Sequence, residues 1–381
     1  MGNAKLMRRI LYVTGTRADF GLMRSSLLMI HGRPGLELGI LATGMHLDSQ
    51  YGDTIREVES CGISIVARVP VELRSDSGSA MAKAIGVEIL GMVEAFEQWR
   101  PDVVMLLGDR GEMLAGAIAA LHLNIPIVHI HGGERSGTVD EPIRHAISKL
   151  AHYHFTATVD ARERLVRMGE REENIFVTGA PGLDGLVDIQ PPVRDEIALG
   201  YGFDPLRPIA LVIFHPVVQH AELADRQMRT LLEGIRRVDG LQALVLMPNA
   251  DAGGEAIRAV LADPYLSVRV VNHLQRDDFC RWMSVVDVMV GNSSSGIIEA
   301  ASFHTPVVNV GNRQLGRERS DNVVDVEVDV TAIQCALVQV LAKGRVAVRN
   351  VYGDGAAGLR ITELLERLPL NRDLLLKCNA Y

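Results

Sequence analysis

The sequence predicts an α/β protein of two doubly wound domains facing a cleft, and three observations predict it. Short aliphatic runs alternate with helical stretches along the chain, and buried parallel strands read as continuous apolar runs of this kind. The 381 residues exceed what one hydrophobic core usually serves, so two domains are expected. The segment Val187 to Pro208, with Pro191, Pro192, Pro205 and Pro208 among several charges, interrupts the alternation and marks the boundary.

In the first half, strands are expected at Arg9 to Thr14, Leu36 to Leu41, Ser64 to Arg68, Val103 to Leu107, Ile125 to Ile130, His154 to Thr158 and Ile175 to Val177. Helical periodicity fills Gly21 to His31, Ser79 to Gln98, Glu112 to His122 and Asp160 to Met168 between them. Beyond the boundary, strands are expected at Ile209 to Phe214, Gln242 to Met247, Ser267 to Val271, Asp287 to Val290 and Val307 to Val310. Helices are expected around Asp225 to Val238, Gly254 to Ala262 and Ile297 to Ser302. The expected organisation is a first domain over 1–187, a linker over 188–208, a second domain over 209–355, and a helical segment, 356–381, packing back toward the first domain. Two such domains present strand ends and helix starts to the cleft, where α/β folds keep ligands.

Hydrophobic residues at 48% and charged residues at 23% exclude a largely disordered chain. A net charge of -8 argues against nucleic acid or an anionic membrane as partner, while leaving room for an anionic small substrate in a local basic pocket. Cys61, Cys280, Cys335 and Cys378 have no CxxC spacing, which signals neither zinc nor a redox pair. The apolar run Ile10 to Val13 is too short for a signal-peptide core, no run reaches the ~20 residues of a spanning helix, and Leu6 breaks the myristoylation pattern after Met1-Gly2. A cytoplasmic enzyme is expected.

The densest chemistry lies in HIHGGERSGTVDEPIRH, His129 to His145, directly after an apolar strand. Acids and bases set together at the carboxyl end of a parallel strand can take opposing protonation roles. If the strand stays extended, His129 and His131 share one side; no thiolate or carboxylate stands at zinc spacing beside them, so no metal is expected. Asp140 and Glu141 precede a helix carrying Arg144 and His145, and are either site groups or caps. In GDRGE, Asp109 and Arg110 sit at another strand end, as acid or base and anion partner, or as an ion pair. GTRADFG places Arg17 at a helix start suited to phosphate, or merely at a glycine-flanked turn. GNSSSGIIE, Gly291 to Glu299, offers Ser293, Ser294, Ser295 and Gly296 at a helix opening to a pyrophosphate, with Glu299 in reach of ribose hydroxyls; serine capping is its competitor. FHP sets His215 at a strand end. The GxGxxG match Gly353 to Gly358 lacks the following βαβ unit and acidic residue of a dinucleotide site, and no GxSxG surrounds a serine.

Together GTRADFG, GMH at Gly44 to His46, GDR, HIHGGERSGTVDEPIRHAISKLAHYH, FHP, PNADAG from Pro248, GNSSSGIIE, GNRQLGR from Gly311 and YGDGAA from Tyr352 resemble, in order, the hydrolysing UDP-N-acetylglucosamine 2-epimerases of sialic acid biosynthesis. The resemblance covers nearly the whole chain. It implies the glycosyltransferase-B fold, with two Rossmann-like domains, the nucleotide held mainly by the second and the sugar reaching the first. It implies Asp109, His131, Asp140, Glu141, Arg144 and His215 as catalytic candidates. The candidate ligands of the UDP-sugar are Arg17, His46, Arg110, Asn249, Asp251, His273, Ser293, Ser294, Ser295, Gly296, Glu299 and Arg313. Where some members of the family have HIEGGE, this chain has His131 in HIHGGE.

The activity the resemblance implies is conversion of UDP-N-acetylglucosamine and water to N-acetylmannosamine and UDP through a 2-acetamidoglucal. It needs neither nicotinamide nor metal, so no cofactor is expected, and it implies a homodimer or homotetramer. Because HIHGGE also occurs in relatives of the legionaminic acid route, the same reaction on UDP-2,4-diacetamido-2,4,6-trideoxyglucose is the first alternative. A glycosyltransferase of the same fold and a non-catalytic nucleotide-sugar binding protein are the others.

Overall fold

Strand β1 (Arg8–Thr14) is an interior strand, third in a seven-stranded parallel sheet, and its alternation sets the layers: Ile10 and Tyr12 bury in one core, Leu11 and Val13 in another on the opposite face. The computed structural model describes residues 7–48, 52, 54–71, 78–135, 140–186, 189, 192–248, 253–272 and 274–380, the side chains of residues 78, 140, 218 and 219 excepted. These residues divide into two compact units, one formed by the chain up to Asp184 and again from Tyr352, the other by Gly185 to Val351.

In the first unit β1 leads to α1 (Arg17–His31), β2 (Leu36–Thr43), α2 (Ile55–Ser60), β3 (Ser64–Val69), α3 (Gly78–Trp99), β4 (Val103–Leu107), α4 (Gly111–His122), β5 (Ile127–Ile130), α5 (Asp140–Leu150), β6 (Tyr153–Thr156), α6 (Val159–Arg167) and β7 (Ile175–Val177). The strand order is β3-β2-β1-β4-β5-β6-β7, every pair parallel. The order reverses direction between β1 and β4, so their carboxyl ends open a crevice, the place where such sheets bind ligands. Thr16 and Asp19 form a capping box that starts α1 at this crevice.

The second unit begins with α7 (Arg194–Gly200), inside the segment expected to be a linker. Its Ala198 and the following Phe203 are buried with Trp282 in a core of this unit, which holds the helix in place. There follow β8 (Ile209–Ile213), α8 (Ala224–Arg236), β9 (Gln242–Leu246), α9 (Gly254–Leu261), β10 (Arg269–Val271), α10 (Arg276–Val285), β11 (Val288–Gly291), α11 (Ser294–Ile298), β12 (Val307–Val310), β13 (Val323–Val326) and α12 (Val330–Lys343). The order β10-β9-β8-β11-β12-β13 places a second switch point between β8 and β11.

The chain returns to the first unit in α13 (Ala357–Arg367), whose Ile361 and Leu365 bury in the core shared with α1. The GxGxxG match lies here, and its helix-start amides are already taken: Asp184 accepts from the Ala357 N–H at 2.8 Å and from Gly358. Among the described residues, no helix is long and apolar enough to cross a membrane.

Candidate functional site

Several of the residues singled out by the motifs follow the strands that flank the two switch points: Arg17, Asp109 and Arg110 in the first unit, His215 and Ser293 in the second. In the first unit, β4 ends at Leu107 and the turn after it carries Asp109 and Arg110; β5 ends at Ile130, followed by His131. His131 is not extended. Its φ of +62° turns the chain away from the strand, so it does not share a side with His129 as alternation alone predicts. His129 stays in the sheet, fully buried. Its Nε2–H donates to the Gly108 carbonyl at 2.8 Å and Nδ1 meets the Ser148 hydroxyl at 3.0 Å, while burial holds its pKa down to about 3. It is a neutral framework residue.

The turn His131-Gly132-Gly133-Glu134 admits little variation. A Cβ on Gly132 would lie 2.9 Å from His129 Nδ1, and one on Gly133, where φ is +78°, would lie 2.3 Å from the Ala161 carbonyl oxygen. The tight turn returns the Glu134 carboxylate to His131, and Oε1 meets Nδ1 directly. Arg144, on α5 and only 2% exposed, joins the set: Nη1 donates to the Glu134 carbonyl at 3.2 Å, and Nη2 pairs with Asp109. Asp109, His131 and Arg144 are thus brought together, with Glu134 as a member that sequence reasoning missed. Its signal was the i,i+3 spacing across two glycines.

The remaining candidates of this unit divide. Arg110 Nε pairs with Glu112 at 2.7 Å, and Arg17, at the start of α1, pairs with Glu57 at 2.7 Å, so an anion at either would compete with a carboxylate. His46 is buried, with Nε2 against Thr14 Oγ1 at 3.0 Å and Nδ1 against Thr54 Oγ1 at 2.9 Å; both ring nitrogens are used in holding loops, and burial lowers its pKa to about 4. Both contacts lie within the first unit. Asp140 opens α5, and its side chain lies outside the described residues. Glu141 lies 3.6 Å from His145 one turn on, and burial keeps the imidazole pKa below its usual value.

In the second unit, β8 runs into Phe214 and His215, and β11 into Asn292 and Ser293. Gly291, at φ +132°, lets β11 pass so close to β8 that a Cβ would lie 2.0 Å from the Ile213 carbonyl oxygen. Asn292 locks the two strand ends: its Oδ1 accepts from the His215 N–H at 2.7 Å and its Nδ2 donates to the His215 carbonyl at 2.8 Å. Its own carbonyl accepts from Arg313 at 3.2 Å and from Gln314 at 2.9 Å. Burial, then the Arg313 charge, push the His215 pKa down to about 3, so its ring is neutral.

Ser293 caps α11, accepting from the Ser295 N–H at 3.3 Å; Ser294 and Ser295 are half-buried beside it and Gly296 is buried. α11 has only five residues before a 3-10 turn, so little macrodipole accumulates, and individual amides and hydroxyls are what it offers an anion. Glu299 follows the end of α11 rather than its start. It is 2% exposed and pairs with Arg276 of α10 at 2.6 Å. Arg276 too was missed; nothing in its local sequence marks it. Asn249, Asp251 and His273 lie outside the described residues. Among the described residues, no cluster of His, Cys, Asp and Glu is arranged to hold a metal.

Two parallel sheets with their polar loops at the switch points define an α/β enzyme of the glycosyltransferase-B-like class, made of two Rossmann-like domains. The chain belongs to the UDP-N-acetylglucosamine 2-epimerase family, whose model matches residues 29–366, and within it to the hydrolysing 2-epimerases. It is 52% identical over 378 residues to the hydrolysing UDP-N,N'-diacetylbacillosamine 2-epimerase of Legionella pneumophila, covering 99% of this chain and 100% of that one. It is 33% identical over 353 residues to the UDP-N-acetylglucosamine 2-epimerase of Neisseria meningitidis, covering 92% of each. Its fold is that of a Neisseria meningitidis UDP-GlcNAc 2-epimerase crystallised with UDP-GlcNAc: TM-score 0.80, 19% identity, 94% of this chain and 99% of that one.

Proposed function

We propose that the protein hydrolyses and epimerises UDP-2,4-diacetamido-2,4,6-trideoxyglucose, the sugar nucleotide also called UDP-N,N'-diacetylbacillosamine, releasing UDP and the corresponding 2-epimeric free sugar. The observation that carries this substrate over UDP-N-acetylglucosamine is the difference in likeness: 52% identity to the Legionella diacetylbacillosamine enzyme against 33% to the Neisseria UDP-N-acetylglucosamine enzyme. UDP-N-acetylglucosamine is the second reading, favoured by the family description.

In the proposed reaction a base removes the C2 proton as the C1–O bond to UDP breaks, leaving a 2-acetamidoglucal. Water then adds at C1 and a proton returns to C2 from the other face. Such chemistry needs proton-handling groups near the ring and charge stabilisation for the departing pyrophosphate. Asp109, His131 and Asp140 are assigned the proton transfers and the activation of water, with Arg144 holding Asp109 in place. The second unit is assigned UDP: the Ser293 to Gly296 turn and Arg313 for the pyrophosphate, Glu299 for the ribose. A neutral His215 would serve as a hydrogen-bonding group, leaving the positive charge to arginine.

The test is to supply both UDP-sugars separately and follow the products by NMR. We expect kcat/KM at least ~10-fold higher with the diacetamido sugar, a difference of about 1.4 kcal/mol in transition-state binding. In heavy water the product should carry deuterium at C2. A preference of that size for UDP-N-acetylglucosamine overturns the substrate, and full retention of the original C2 hydrogen overturns the elimination route.

A further inference from the structure

We infer that Glu134 is a positioning residue for the reaction, acting through His131: it fixes the imidazole's tautomer and orientation. The inference rests on the epimerase reading above, which assigns His131 a proton transfer.

The geometry carries it. His131 leaves β5 in the left-handed region, with its N–H donating to the Phe155 carbonyl at 3.0 Å, so the backbone is pinned to β6. Two glycines that accept no Cβ then bring Glu134 back over the ring within one turn. An ionised carboxylate only accepts, so Nδ1 carries the hydrogen and Nε2 is left with its lone pair to take a proton. No described residue bonds to Nε2, and the His131 side chain is 13% exposed whereas that of Glu134 is 6% exposed. The buried partner therefore orients, and the more open ring is the one that can meet a reactant. This is the nucleophile-base-orienter logic applied to a proton transfer at carbon, with a glutamate as the third group.

The same turn links the dyad to the other acid. Arg144 donates to the backbone carbonyl of Glu134 and pairs with the side chain of Asp109, so one buried guanidinium holds both candidate proton-handling groups in register. Arg164 of α6 donates to the Gly133 carbonyl from the far side of the turn. Around the His131 turn stand Glu134 itself, Asp109 after β4, Arg144 on α5, Arg164 on α6 and the neutral His129 on β5. Among the described residues, Glu134 is the one whose side chain bonds to the ring. A single loop thus contains a chemical group and its support.

The test combines kinetics and ring NMR on the full chain. Glu134→Gln keeps the shape and removes the charge; we expect kcat to fall ~10- to 100-fold, with the UDP-induced rise in Tm unchanged. In a His131→Asn background the same substitution should cost almost nothing further, since a residue acting through another is non-additive with it. Glu134→Asp, which keeps the charge on a shorter arm, should recover part of the rate. Additive losses, or no recovery by Glu134→Asp, overturn the inference. Nitrogen NMR of the His131 ring reads the dyad without turnover: wild type should carry its hydrogen on Nδ1, and Glu134→Gln should show both tautomers. The same tautomer in both overturns the inference even if neither UDP-sugar is a substrate, whereas a wild type inactive on both, with the tautomers differing, overturns only the epimerase reading.

Discussion

Asp109 and the glycine turn separate chemistry from scaffold at the scale of single residues. Asp109→Asn preserves size and most hydrogen bonding to Arg144 but removes the ionisable group. If the carboxylate handles a proton, turnover falls ~100-fold or more while UDP affinity changes little. Steady-state rates and a UDP titration measured together check it, and near-normal turnover removes Asp109 from the role. Gly133→Ala acts on stability instead: it forces an alanine to φ +78° with its Cβ 2.3 Å from a carbonyl oxygen. We expect a loss of about 3 kcal/mol, from left-handed strain plus the steric shift, readable in a urea titration. A loss under ~1 kcal/mol means that α6 moves aside.

Elements explain what could be read from the chain and what could not. The apolar runs Val103 to Leu107 and Val307 to Val310 become β4 and β12 at those bounds, because strands buried on both faces leave an unbroken hydrophobic signature. α7 escaped notice because prolines on both sides outweighed a short helix whose burial is supplied by tertiary contacts. β13, Val323–Val326, is a half-exposed edge strand with an aspartate inside it and lacks the run entirely. In the site, ring positions at strand ends were legible as positions but not as partners. The threonines that His46 meets, and the reach of Arg276 to Glu299 from another helix, leave no local mark in the sequence. That last pair shapes an experiment. Glu299→Ala removes the carboxylate that Arg276 reaches at 2.6 Å and leaves a hole where a buried side chain stood, so it lowers Tm by itself and confounds a binding test. Ser294→Ala combined with Glu299→Gln keeps a neutral partner for Arg276, and in this variant we expect UDP no longer to raise Tm, although it raises that of the wild type. A preserved shift moves the nucleotide elsewhere.

The whole molecule's response to pH follows from its buried ionisable groups. Burial depresses the folded-state pKa values of His46, His129, His152, His154 and His215 below the ordinary 6.5. Their contribution to stability is present above pH 6.5 and lost as pH falls toward 4 and below, because the unfolded chain binds the protons that the folded one refuses. Burial raises Glu88 to about 8, with the Glu112 charge adding to it, and raises Asp19 to about 6. Their contribution has the opposite sense, present at low pH and lost as pH rises through those values. Five imidazoles against two carboxylates give a net fall in Tm between about pH 6 and 4; above pH 7 Glu88 alone of these continues to titrate. Glu88→Gln should therefore stabilise the protein at pH 9 and flatten the alkaline side. A Tm constant from pH 7 to 4 contradicts the imidazole account, and unchanged behaviour of Glu88→Gln at pH 9 contradicts that of the carboxylate.

The return of the chain to the first unit from Tyr352 onward has a consequence during synthesis. Every strand of the second unit leaves the ribosome before α13 does, whereas the first unit waits for Ile361 and Leu365 to cover α1. The usual order, in which the N-terminal domain matures first, is thus reversed for its last step. Until translation ends, the nascent first unit carries an uncovered apolar groove, a natural substrate for chaperones, and a premature stop codon shortly before Tyr352 would leave that groove open for good.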